Sequence, residues 1–243
     1  MKHTTTYLYI PQDKIINGEV HFPEDESVHL SQVLRAKSGD EIIVVDGAGS
    51  AYRVEITRSK QKYSRGRIIE EINPSSEPKF NFSLALGTIR PRRMETAWDF
   101  CVQLGMNELI PIHTKYSTDR MKADGKYMDR LRAVSIRAMK QSKRAVLPGV
   151  RDPISISELL LAGSFEYIFY GDSEGLPGPP LKKPRLGERV LLVIGPEGGF
   201  SSEEIRELES QEAIPISLGP RRLRAETAAV TLSVIALKWT NDI

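Results

Sequence analysis

The sequence is poor in cysteine, histidine and aromatic residues, and it lacks any long apolar run. A single cysteine, Cys101, in 243 residues cannot close an internal disulfide, so stability must come from a core, and a reducing compartment fits best. The four histidines, His3, His21, His29 and His113, are scattered without HxxxH or carboxylate-paired spacing. Neither a metal site nor a serine triad is indicated. Nowhere do eighteen apolar residues run together, and residues 1–12 lack the apolar stretch of a secretory leader; a cytoplasmic protein without a membrane segment is expected. No Gly-Lys-Ser/Thr phosphate loop and no Gly-x-Gly-x-x-Gly spacing occurs, which excludes the common nucleotide cradles. Net charge is also nearly absent: 34 Lys and Arg against 32 Asp and Glu leave +2. Taken whole, that balance disfavours a dedicated nucleic-acid binder.

Hydrophobic residues make up 40% and charged residues 27%, the composition of an ordinary folded chain long enough for two domains. Residues 1–73 read as short strands with turn punctuation. An apolar strand at 41–45 and an alternating one at 51–57 form a hairpin around Asp46-Gly47, and 27–36 suggests a short helix. A small barrel or sandwich is expected. A polar, proline-bearing linker follows at 74–78. From 79 to 243, strands at 82–86, 109–112, 167–170, 189–194 and 214–218 alternate with helices from 94 to just before Gly105 and over 127–144, 201–212 and 228–239. This is the pattern of an α/β domain with a parallel sheet. The Gly- and Pro-rich stretch 171–187 reads as a surface loop. Cys101, Trp98 and Trp239 fall on apolar helix stripes and read as core.

Two elbows carry the strongest signals. The buried strand 189–194 runs into Gly195-Pro196-Glu197-Gly198-Gly199, and Ser201 with Glu204 then fits a capping box flanked by Phe200 and Ile205 at the staple positions. Backbone amides at such a turn can approach a ligand closely; read alone, a tight turn without a ligand explains it equally well. The second elbow tips the balance. Strand 214–218 ends in Gly219-Pro220-Arg221-Arg222-Leu223-Arg224-Ala225-Glu226-Thr227, and ligands of open α/β sheets collect at the carboxyl ends of strands. Three arginines there suit an anion, the alternative being a solvated turn with Arg224 and Glu226 paired.

Charge is unevenly spread. Residues 1–75 are at −1, residues 79–151 at +9 and residues 152–243 at −5, with Glu77 completing the total. Arg90, Arg92 and Arg93 cluster after a strand, and Arg58, Lys60, Lys62, Arg65 and Arg67 form a tract without an acid. Positive charge concentrated in two regions is the footprint of a phosphate backbone. Arg35, Arg90, Arg92, Arg93, Arg144, Arg221 and Arg222 are the expected contacts to a nucleic-acid backbone.

Ile194-Gly-Pro-Glu-Gly-Gly-Phe-Ser201 together with Leu218-Gly-Pro-Arg-Arg-Leu-Arg-Ala-Glu-Thr-Ala228 closely resembles the paired signatures of the bacterial 16S ribosomal RNA uracil-N3 methyltransferases, members of the SPOUT class of knotted methyltransferases. His29, Val33-Leu34-Arg35 and Gly39-Asp40 resemble an early motif of that family, and Leu104-Gly105, Pro111 and Gln141-Ser142-x-Arg144 its middle motifs. Phe100-Cys101-Val102-Gln103 stands where the family usually has Lys-Ala-x-Glu, and Tyr116 and Arg137 stand where it has Arg and Glu. The resemblance implies a PUA-like β-barrel RNA-binding domain at 1–73 and a methyltransferase domain at 79–243. The latter would hold a parallel sheet with helices on both faces and a deep trefoil knot. It implies S-adenosylmethionine as cofactor, no metal, a homodimer, and 16S ribosomal RNA within the small ribosomal subunit as partner. By position, Leu86, Gly87, Gly171, Ile194, Gly195, Glu197, Gly198, Gly199, Leu218, Gly219, Leu223 and Thr227 would surround the cofactor. Arg224 would hold a phosphate or the developing uracil anion, with Glu226 orienting it. A knotted methyltransferase acting on a tRNA base or a ribose 2′-hydroxyl, or a noncatalytic RNA-binding ribosome-assembly protein, remains open at this point.

Overall fold

The computed structural model describes residues 6–73, 76–118, 125–163, 165–180 and 182–243. Pro74 and Ser75 of the expected linker lie outside the described residues. The chain forms two units, one of Met1–Glu77 with Ile136–Leu147, the other of Pro78–Ser135 with Pro148–Ile243.

The first unit holds β1 (Tyr7–Tyr9), β2 (Ile15–Ile16), β3 (Glu19–Phe22), α1 (Glu24–Val28), β4 (Glu41–Val45), β5 (Ala51–Arg58) and β6 (Ser64–Ile72). Its six strands lie in the order β1-β4-β5-β6-β3-β2, parallel between β1 and β4 and antiparallel elsewhere. The expected β4–β5 hairpin is present. Its turn is held by Asp46, whose Oδ1 accepts from the amides of Ala48 at 2.8 Å and Ser50 at 3.0 Å; Gly47 and Gly49 take the positive φ the turn needs. The helix expected at 27–36 begins earlier, at Glu24, and ends in a π-helical turn at His29–Val33.

The division at a 74–78 linker needs one correction: Ile136–Leu147 belongs with the first unit. The apolar run of β4 supplies the reason. Side chains alternate across a strand, so Ile42 and Val44 enter a core with Leu8, Val20, Phe22, Val54 and Ile56. Ile43 and Val45 face the other way and are covered by Met139 and Ala145. A strand apolar on both faces requires a second cover, and a distant segment provides it.

The second unit comprises β7 (Asn81–Gly87), α2 (Pro91–Gln103), β8 (Glu108–His113), α3 (Gly125–Gln141, its end counted with the first unit), β9 (Gly149–Val150), β10 (Ile154–Ser155), α4 (Ile156–Ala162), β11 (Tyr167–Leu176), β12 (Arg189–Ile194), α5 (Ser202–Ser210), β13 (Ile214–Ile216) and α6 (Ala225–Thr240). The sheet runs β10-β8-β7-β12-β11-β13, with β9 also on β8, and every pairing is parallel. Leu159, Leu160 and Leu208 of α4 and α5 pack on Ala85, Ile110, Ile112, Leu191 and Val193. By alternation, buried Leu84, Leu86, Val190 and Leu192 face the opposite side, where α6 crosses β7 and β12 and α2 packs on α6. A parallel sheet with helices on both faces is therefore as expected.

Several boundaries move. Helix α2 starts at Pro91, not 94, with proline at its first position, where φ is already helical. Helix α6 starts at Ala225, not 228. Helix α3 ends at Gln141, three residues short of Arg144, because Lys143 takes a φ of 60°. The expected loop at 171–187 begins instead as the continuation of β11 to Leu176. The capping box at Ser201 forms as read: Ser201 N donates to Glu204 Oε2 at 2.7 Å and Glu204 N to Ser201 Oγ at 3.3 Å. No helix among the described residues is long and apolar enough to cross a membrane.

Candidate functional site

At the carboxyl end of β12, beside residues 171–173 midway along β11 and just past β13, a cleft of about 340 Å³ opens, within the size range of small-ligand sites. Both elbows line it. Ile194 through Gly199 form one wall, Leu218, Arg222 and Leu223 another, and Gly171 lies between them. The first elbow is a turn closed by Gly199 N donating to Pro196 O at 2.9 Å; Gly199 sits at a φ of 73°. The second is tied to the first by Arg222 Nη2, which donates to Glu197 O at 3.0 Å. A Cβ added at Gly171 would meet Ile194 Cδ1 at 2.8 Å and Leu218 Cδ1 at 3.3 Å, so the absence of a side chain there keeps the cleft open.

Of the twelve residues expected around a cofactor, Gly171, Ile194, Gly195, Glu197, Gly198, Gly199, Leu218 and Leu223 line this cleft. Leu86, Gly87, Gly219 and Thr227 do not. Leu86 is fully buried in the core. Gly87 lies behind the first elbow, where a Cβ would meet Pro196 N and Cδ at 2.6 Å, so its work is to let the elbow approach the sheet. Residues not anticipated are Asp172, Ser173, Pro196, Phe200, Ile205, Ala225 and Ala228, together with Arg222, which had been assigned to RNA. The staple pair Phe200 and Ile205 was a usable signal, because a residue packed on the helix start at this elbow also faces the cleft.

The arginines separate into three groups. Arg35, Arg90, Arg92, Arg221, Arg222 and Arg224 are exposed, and Arg224 is the residue preceding the first turn of α6. Arg93 is engaged. Its Nη1 donates to Glu197 Oε1 at 2.7 Å, and its Nε lies 3.8 Å from Glu226 Oε1. The expected orientation of Arg224 by Glu226 is thereby corrected: Glu226 faces Arg93, and among the described residues no ion pair joins Glu226 to Arg224. Arg144 is also corrected. It is 1% exposed and gripped by Glu77, so it is not presented to a polyanion. In the first unit the basic tract is partly neutralised, with Arg65 paired to Glu19 at 3.4 Å and Arg67 to Glu55 at 2.7 Å, while Arg58 and Arg65 both lie over the Tyr63 ring.

Cys101 sits in the core beside Ser233, and burial pushes its thiol up to about 12. At pH 8 only about one molecule in ten thousand would carry the thiolate that reacts. Iodoacetamide is therefore expected to leave the folded protein unmodified by mass spectrometry and to add one carbamidomethyl group after denaturation. Labelling of the folded protein at the unfolded rate would contradict the packing described.

Residues 76–237 match the model of the RNA methyltransferase domain family, and residues 22–68 match that of the RNA methyltransferase PUA domain. The chain belongs to this RNA methyltransferase family. Within the family it is 30% identical to the ribosomal RNA small subunit methyltransferase E of Mesomycoplasma hyopneumoniae, over 72% of this chain and 77% of that protein. It is 29% identical to the Bacillus subtilis enzyme of the same name, over 93% of this chain and 90% of the other. A methyltransferase of Legionella pneumophila, solved with the cofactor SAM bound, superposes with a TM-score of 0.86 at 26% identity, covering 96% of this chain and 97% of that one.

Proposed function

We propose that this protein methylates N3 of a uridine in 16S ribosomal RNA of the small subunit, using S-adenosylmethionine. It would act in the cytoplasm as a homodimer whose methyltransferase domain carries a deep trefoil knot and whose N-terminal domain is a PUA-like barrel that grips RNA. The observation that carries this reading is the cleft where the two Gly-Pro elbows meet. Its size suits a nucleoside-sized ligand, and glycine at 171, between Ile194 and Leu218, leaves space that a Cβ would fill. The names of the curated relatives and the cofactor in the Legionella structure support the same assignment.

The backbone of residues 195–199 would hold the cofactor, with the side chains of Ile194, Leu218 and Leu223 packing on its apolar parts. When bound, the cofactor supplies a methyl group already activated on a sulfonium. What remains for the protein is geometry and a proton. The uracil must leave its stack and present N3 in line with the methyl carbon, and its weakly acidic N–H must be relieved of hydrogen. Exposed Arg224, at the start of α6, would stabilise the negative charge that develops on the base or hold a flanking phosphate. Arg90, Arg92 and Arg221, also exposed, would track the backbone.

Arg224→Ala is expected to lower methylation by about 100-fold, the usual loss for one stabilising donor, with cofactor affinity by calorimetry unchanged. Full activity in that variant would remove Arg224 from the chemistry. The reaction itself is tested by mass spectrometry of ribosomal RNA from a strain lacking the gene. One missing methyl on an N3 position, restored by the purified protein, is expected. Intact methylation would overturn the proposal.

A further inference from the structure

The loop between β13 and α6 carries three exposed arginines, Arg221, Arg222 and Arg224. Arg222 lines the cleft, beside Leu218 and Leu223; Arg221 and Arg224 do not. Its side chain is also held in place. Arg222 Nη2 donates to Glu197 O at 3.0 Å, so the guanidinium reaches from the second elbow to the first and is fixed where both form the cleft wall. One N–H of the guanidinium is spent on that carbonyl, and the rest of its donor fork is open. Its charge is unanswered as well. The cleft is also lined by two acids, Glu197 and Asp172, but Glu197 Oε1 accepts from Arg93 at 2.7 Å and Asp172 Oδ1 accepts from the amide of Glu174 at 2.8 Å. Among the described residues no carboxylate forms an ion pair with Arg222, and no other cationic side chain lines the cleft.

We propose that Arg222 anchors the amino-acid end of S-adenosylmethionine by binding its α-carboxylate, and that it is not an RNA contact; this rests on the assignment of the cleft to the cofactor made above. The ligand's own chemistry selects the group. Its sulfonium and its ammonium are positive and are repelled by a guanidinium, and its adenine and ribose are neutral. The carboxylate is the one part that answers an uncommitted cation. Two oxygens in a plane match the guanidinium fork. Because Glu197 O already holds one end of the side chain, less rotamer freedom is lost when the carboxylate arrives. Arg222 differs in this from Arg221 and Arg224, which stand outside the cleft and keep their charge for a polyanion.

The test is calorimetry on the full-length protein with S-adenosylmethionine and with its decarboxylated analogue, which keeps the sulfonium, ammonium, ribose and adenine and lacks only the carboxylate. Wild-type protein is expected to bind the analogue about 10-fold more weakly, the loss for one charge-assisted contact at an exposed site. Arg222→Ala should bind S-adenosylmethionine about 10-fold more weakly than wild type and the analogue within about twofold of it, so that the preference for the carboxylate disappears. Arg222→Lys keeps the charge without the fork and should recover part of the loss. Arg221→Ala should leave both Kd values unchanged, which separates a contact from a general loss of positive charge. Binding of the analogue also reports that each variant is folded. Equal weakening of both ligands by Arg222→Ala would reduce Arg222 to a tie between the elbows and overturn the proposal. Equal affinity of wild type for the two ligands, or an unchanged S-adenosylmethionine Kd in Arg222→Ala, would also overturn it; a raised Kd for small-subunit ribosomal RNA in that variant would then return Arg222 to the RNA backbone. Failure of the cleft assignment has a separate signature: Gly171→Leu, which fills the space between Ile194 and Leu218, would bind S-adenosylmethionine as wild type does.

Discussion

Replacing Gly87 by alanine is expected to weaken S-adenosylmethionine binding by at least about 100-fold and to lower the thermal midpoint by several degrees. Gly87 lines no part of the cleft. It closes β7 beside the end of β12, where Leu86 pairs with Ile194, and a Cβ there would sit 2.6 Å from both Pro196 N and Pro196 Cδ and 3.0 Å from the Gly195 carbonyl carbon. Backbone and a proline ring cannot swing aside as the end of a long side chain can. Relief requires the first elbow to lift from the sheet by roughly 1 Å, a displacement that can cost a hundredfold where geometry is strict. Overpacking of this kind costs about 1–3 kcal/mol, which corresponds to roughly 2–10 °C in a chain of this size. Gly198→Ala provides the contrast. Its added Cβ would meet Tyr116 Cβ at 2.6 Å, an atom fixed to the backbone, so relief requires the chain around Tyr116 to shift; that residue is exposed between β8 and α3, unlike the buried end of β7. A smaller loss of affinity is expected at Gly198 than at Gly87. Calorimetry on both variants checks the order; the reverse order would show that the elbow tolerates displacement and that affinity depends on Gly198 itself.

The elements that were legible in the sequence are those fixed by neighbours in the chain. Strand β12 and the capping box of α5 rest on an uninterrupted apolar run and on residues three positions apart, so both were located closely. Helices α2 and α6 each begin three residues before their apolar stripe does. The first turn of α2 carries Arg92 and Arg93 and that of α6 Glu226 and Thr227, and neither Arg90 nor Arg224, the residues before them, makes a side-chain cap hydrogen bond, so no N-cap signal marks either start. The glycines of the first elbow line the cleft and Gly219 of the second does not, although each turn leaves a local trace in the sequence. Which of them faces the ligand and which faces the sheet is a matter of tertiary packing, and Gly87 shows that the same residue type can serve a site from behind. Charge was the least legible. Counting placed Arg93 and Arg144 among RNA contacts, whereas each is held by glutamates remote in sequence, Arg93 by Glu197 and Glu226 and Arg144 by Glu77. Composition reports how many charges a segment has, not which of them are already answered.

Glu77→Ala is expected to destabilise the first unit by about 3–5 kcal/mol, the usual result of stripping one partner from a buried ion pair. Arg144 is 1% exposed, and Glu77 Oε2 accepts from its Nε at 3.1 Å and its Nη2 at 2.8 Å. Glu77 Oε1 accepts from the amides of Ala145 at 2.8 Å and Val146 at 2.9 Å. One carboxylate therefore answers a buried cation and two backbone donors in the segment that covers Ile43 and Val45 of β4. Its loss removes the acceptor of both amides and the countercharge of the guanidinium. Water entering to solvate the guanidinium would have to part Ala145 and Met139 from that strand, exposing the apolar face that this segment hides. Glu77→Gln keeps an acceptor for the two amides but not the countercharge, so an intermediate loss is expected. Pairing it with Arg144→Met removes the uncompensated cation and should recover most of the stability. Denaturant unfolding of the three variants checks the series. If Arg144→Met alone were neutral for stability but weakened RNA binding, the guanidinium would be an RNA contact after all. The arrangement instead points to a structural charge, held so that a distant segment can complete the first unit.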